Sequence, residues 1–189
     1  MGIIDKEFDK STINPGEHTF EKMISGAYLG PLVLMTLKKA AEDEFFSEIA
    51  CEKLNNFKDL TTKDVNDFLE EPKKGGNPLS RILTDRGDEM AYYDFTILYE
   101  LTDKMVTRGA KLTAINLSSA VTKSGKGSDP NKPVCIVAEG TTFYKLKDFQ
   151  SKVEKFLNGF LKNKKERFYE ITKVENATLI GAAIAGLTN

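Results

Sequence analysis

A carboxylate one turn into a helix that opens from a fixed turn is the first group in this chain able to do chemistry. Asn14, Pro15 and Gly16 form a strong turn signal, and Glu21 follows beside Phe20 and Met23. An ionised carboxylate only accepts, through two oxygens, so Glu21 can receive hydrogen bonds from two neighbouring hydroxyls at once. A Glu on a helix surface is more often simply solvated, and pattern alone does not separate the readings. A second candidate is the run Glu139, Gly140, Thr141, Thr142. Backbone N–H groups and hydroxyls at such a turn can hold a phosphate or a ribose, although an ordinary tight turn has the same composition. The run SGKGS, Ser124 to Ser128, lacks the spacing of a phosphate-binding P-loop and follows a helical pattern where that loop needs a strand, so it reads as a loop.

The elements that must position these groups follow from periodicity. Phe20, Met23, Ile24 and Ala27 recur at helical spacing, which predicts a helix starting near Glu17. Gly30 and Pro31 mark a kink or a restart before Leu34, Leu37 and Ala41, because proline is tolerated only in a first turn. Thr61 followed by Asp64 resembles a capping box ahead of Val65, Phe68 and Leu69, in a short helix stopped by Pro72, and KKGGNP (Lys73 to Pro78) is then a loop. From Asp88 to about Thr122 the apolar spacing is helical with no proline, giving the longest helix, and Gly109 with Ala110 allows another element to approach it closely. The period then changes. VCIVA (134–138) and TFYKL (142–146), joined through Glu139, Gly140 and Thr141, read as a β-hairpin. Phe149, Val153, Phe156, Leu157 and Phe160 give another amphipathic helix, residues 167–172 a further strand, and roughly Thr178 to Leu187 a small, apolar, buried helix. The order, helix-rich over 14–124 and then ββαβα over 134–189, predicts an α/β layer with a helical insertion.

Bulk properties exclude several function classes. At 189 residues with 40% hydrophobic content the chain can bury a sizeable core, and one compact unit is the default. A formal net charge of -1 gives no field to draw in nucleic acid or an anionic membrane. The short basic runs at Lys73, Lys74 and at Lys162 to Lys165 read as solvated surface. Cys51 and Cys135 belong to no metal-binding or disulfide pattern, which favours a reducing, cytoplasmic setting. The longest apolar run, Ala177 to Leu187, is broken by glycines and falls short of the roughly 20 residues a membrane span needs.

The segment NPGEHTFEKMISGAYLG, from Asn14, closely resembles the sugar-contacting stretch of eukaryotic-type hexokinases and glucokinases. By that resemblance Glu21 contacts a hexose, and His18 stands where the family commonly has a Gln near the sugar. FFSEIACEKLNNFKDLTTKDVNDFLEE (Phe45 to Glu71) and TRGAKLTAINLSSAV (Thr107 to Val121) resemble later family segments in the same order. VCIVAEGTTFYKL (Val134 to Leu146) resembles the hairpin bordering the nucleotide, which implies nucleotide-binding roles for Gly140 and Thr141. Thr178 takes the place of a serine hydroxyl in the last motif, which packs beside adenosine in the family. The chain departs from the family at Pro31 and Glu139, where Glu and Asp are usual, and at ATLIGAA (Ala177 to Ala183), which keeps only the end of a glycine-rich motif.

The resemblance implies the C-terminal part of a hexokinase large domain of actin-like, ribonuclease H-like ATPase fold, with hexose, ATP and Mg2+ as ligands of the whole protein. Phosphoryl transfer to a sugar hydroxyl needs a carboxylate base, loops that hold the ATP phosphates and a magnesium ion. No residue of this chain is assigned to catalysis or to metal. In the family the catalytic Asp, the phosphate-binding hairpins and a further sugar-contacting Glu precede the Asn-Pro-Gly turn, so this chain is expected to be a fragment that needs its N-terminal part, and to be inactive alone.

Overall fold

Leu29, Leu32, Val33, Leu37 and Ala41 are all buried, at helical spacing, and make the helix Leu29–Glu42 (α3) the hub of its half of the chain. The computed structural model describes residues 1–83 and 89–188. Contacts divide the chain into two compact units, Met1–Ala110 and Lys111–Asn189, and the sequence boundary falls within its longest helix.

In the first unit α3 packs against α1 (Ile3–Ser11), α4 (Glu48–Asn55) and α5 (Thr62–Glu70). The four-residue α2 (Thr19–Lys22) precedes α3, and α6 (Pro78–Leu83) follows α5. Leu54, Val65, Phe68, Leu69 and Leu79 are buried with the α3 stripe, and each such side chain contributes about 1.5–3 kcal/mol on leaving water. The expected capping box is present: Thr61 and Asp64 exchange side-chain to backbone hydrogen bonds at 2.9 and 3.1 Å. α3 begins at Leu29, so Pro31 sits in its first turn as its missing N–H requires. The helix expected from Glu17 is shorter than its apolar spacing implies. α2 closes when the Ile24 and Ser25 amides both donate to Glu21 O, and a turn through Gly26 separates it from α3. Helix α7 (Glu89–Lys123) matches the longest helix expected, with Gly109 and Ala110 buried; its expected start at Asp88 lies outside the described residues.

The second unit contains a two-stranded parallel sheet, β1 (Val134–Ala138) and β2 (Tyr169–Lys173), with Val134 opposite Tyr169 and Ala138 opposite Lys173. The hairpin expected at 134–146 is therefore overturned, and with it the strand at 142–146. Residues Thr141–Lys145 form a short helix, α8. Thr141, Thr142, Phe143 and Tyr144 favour strands by type, but Gly140 at φ 110 turns the chain out of β1, and the Tyr144 hydroxyl donates to Ala138 O at 3.1 Å. These contacts outweigh a strand preference of under about 1 kcal/mol. A parallel pair needs a long crossover. Here it is supplied by α8, α9 (Phe149–Leu157), a π-helical turn (Asn158–Lys162) and α10 (Asn163–Lys165).

Phe149, Val153, Leu157 and Leu161 are buried along that crossover, whereas Phe160 is 40% exposed. In an uninterrupted α-helix Phe160, about three turns on from Phe149, would share its face. The wider π turn rotates Leu161 into that place. The last helix, α11 (Ala177–Thr188), forms as expected but is not buried, with Leu179 72% and Leu187 88% exposed. Being apolar on every side, it carries more such surface than one neighbour can cover. No helix among the described residues is long and apolar enough to cross a membrane.

Candidate functional site

The Asn14–Gly16 turn is built on a buried ion pair. Lys22, 3% exposed, donates from Nζ to Asp9 Oδ1 at 2.6 Å and to Asn14 O at 2.5 Å. The other Asp9 oxygen accepts the Gly16 N–H at 2.8 Å. The hydrogen bond from Lys22, then that from Gly16, holds the Asp9 carboxyl below the usual carboxylate range, against the opposing effect of burial. A second acid of α1, Asp5, is 2.6 Å from Arg108 Nη2, and the same nitrogen lies 3.5 Å from Met23 Sδ. Arg108, in the Thr107 to Val121 segment, thereby joins α7 to α1 and to the end of α2.

On this frame Glu21 points outward, its side chain 59% exposed, with both carboxylate oxygens available to hydroxyl donors. His18 caps α2 in the left-handed region at φ 50, and its Nδ1 lies 3.9 Å from Glu21 Oε2. The two sugar-side candidates are therefore together. Asp9 and Lys22 also belong to this site, and neither is marked by the apolar spacing from which the helices were read.

The nucleotide-side candidates lie in the second unit. Gly140, Thr141 and Thr178 are all exposed, and Thr178 is tied to the residue before Gly140, Glu139. Its Oε2 accepts from Thr178 Oγ1 at 3.3 Å and from the Thr178 amide at 3.4 Å, satisfying the start of α11. No atom lies within 4 Å of where a Gly140 side chain would begin. A carboxylate here repels phosphate and accepts from hydroxyls, so the chemistry suits a ribose better than a phosphoryl group. The SGKGS run is a loop, as expected, and its Gly127 (φ +79) lets the backbone meet Phe168: the Phe168 amide donates to Gly127 O at 2.7 Å. Among the described residues no group of three or more His, Cys, Asp or Glu is gathered as a metal site.

The architecture is that of an α/β protein of the actin-like ATPase fold. It matches the solved hexokinase from Schistosoma mansoni complexed with glucose at a TM-score of 0.75 and 20% identity, over 100% of this chain and 42% of that one. A family model for hexokinase matches residues 1–188. Human Hexokinase-2 is 32% identical over 155 residues, covering 80% of this chain and 17% of its own length. The Hexokinase-like 1 protein of Arabidopsis thaliana is 28% identical over 192 residues, covering 99% of this chain and 39% of its own. The chain belongs to the hexokinase family, and it spans well under half the length of these relatives.

Proposed function

We propose that this chain is the C-terminal part of an ATP-dependent hexokinase that transfers the γ-phosphate of ATP to a hexose such as glucose, giving hexose 6-phosphate. The observation that carries this reading is Glu21, an exposed carboxylate beside His18 on a short helix anchored by the buried Asp9 and Lys22 pair. Glu21 accepts hydrogen bonds from sugar hydroxyls, and His18 offers a ring nitrogen beside them. Gly140, Thr141 and Thr178 border the adenosine side, where Glu139 suits a ribose hydroxyl. Mg2+ accompanies the ATP phosphates, and with no metal-binding cluster among the described residues no side chain of this chain is assigned to it. No catalytic base is assigned either, so turnover needs an N-terminal part of the same protein. The unpaired Cys51 and Cys135 fit a cytoplasmic setting.

Calorimetric titration with glucose tests the sugar side. Glu21→Gln weakens binding about tenfold to a hundredfold, as expected for loss of a charged acceptor, and unchanged affinity removes Glu21 from the site. With glucose and MgATP this chain alone shows no turnover, whereas the longer protein containing it does. A non-catalytic hexokinase-like sugar-binding protein is the second reading, favoured by the reduced motif at Ala177 to Ala183. It predicts saturable hexose binding with no ATP consumption even in the longer protein.

A further inference from the structure

We propose that the buried Asp9 and Lys22 pair is a positioning device for Glu21, an inference that rests on reading Glu21 as a hexose ligand. With four residues, α2 is far below the roughly 12 at which an isolated helix begins to hold itself in water. Its orientation is set from outside. Consecutive helical residues point about 100° apart, so burying Lys22 fixes the rotation of α2 and turns Glu21 to the surface. The same ammonium grips Asn14 O, and the same carboxylate grips the Gly16 N–H. One ion pair thus joins the end of α1, the turn and α2 into a single frame.

Stability alone does not account for the pair. Two buried charges lose their hydration, and apolar residues of similar size commonly stabilise a fold as well or better. Such residues would leave Asn14 and Gly16 without their partners and α2 free to rotate. What the charges add is a fixed geometry, and what that geometry presents is Glu21.

The double variant Asp9→Leu/Lys22→Met separates the two roles, because it removes both partners and leaves neither charge buried alone. The expected result is a folded protein with a thermal midpoint close to the unsubstituted chain. In it, hydrogen exchange at the Gly16 and Ser25 amides, which donate to Asp9 and to Glu21 O in the unsubstituted chain, is at least tenfold faster and glucose affinity at least tenfold weaker. Protected amides in the folded double variant overturn the proposal, and so does unchanged glucose affinity. Global unfolding of that variant also overturns it, since the pair would then be a stability element. If the longer protein containing the unsubstituted chain binds no glucose either, the functional reading fails instead, and the amides still decide whether the pair sets the geometry of α2.

Discussion

Asp9 carries a burden that a surface aspartate does not, and acid should reveal it. Its folded carboxyl titrates below the usual range because Lys22 and the Gly16 amide hold the ionised form. A group depressed in this way contributes stability that is fully present above the unfolded value of about 3.9 and is lost as pH falls through the lower folded value. The thermal midpoint of the unsubstituted chain should therefore exceed that of Asp9→Asn by a constant margin near pH 6. The margin should shrink progressively below about pH 4, and a margin that stays constant to pH 2 would remove the pair from the stability of the turn. At this scale the sequence was half legible. Glu21 and His18 stood out through the motif around them, whereas Asp9 and Lys22 did not, because a lone charged residue on a helix gives no sign in the sequence that it is buried.

Element geometry depends on a few contacts between backbones. At Gly30 an added Cβ would lie 2.4 Å from Leu60 O and 2.5 Å from Thr62 N, while the Gly30 amide donates to Thr62 Oγ1 at 2.9 Å. The starts of α3 and α5 thus touch with no room for a side chain. Gly30→Ala should cost about 1–3 kcal/mol or more, seen as a fall of several degrees in midpoint. Gly75→Ala, with nothing within 4 Å, should shift stability by less than about 0.5 kcal/mol. Helices with long apolar stripes or caps, such as α5 and α7, were readable from spacing because burial and period agree there. The segment 141–145 was not, because strand-favouring residues were folded into α8 by Gly140 and Tyr144. Nor was the exposure of Phe160, since a π turn leaves no mark in an apolar pattern that an α-helix would also satisfy.

Across the whole molecule, the α/β class and the family were legible because motif order runs the length of the chain, while the exposure of the last helix was not. Charge offers little protection there. Lysine and arginine number 27 against 28 acidic residues, so copies repel one another weakly near neutral pH. Light scattering at rising concentration should show reversible self-association, reduced by replacing Leu179 and Leu187 with lysine. A monodisperse solution at every concentration would show that α11 is covered. The uncovered α11 also gives the chain the behaviour of a surfactant: Leu179, Ile184 and Leu187 are a place for air–water interfaces, detergents and plastic walls to take hold. Recovery after dilution or freezing should then depend on the container as much as on the fold.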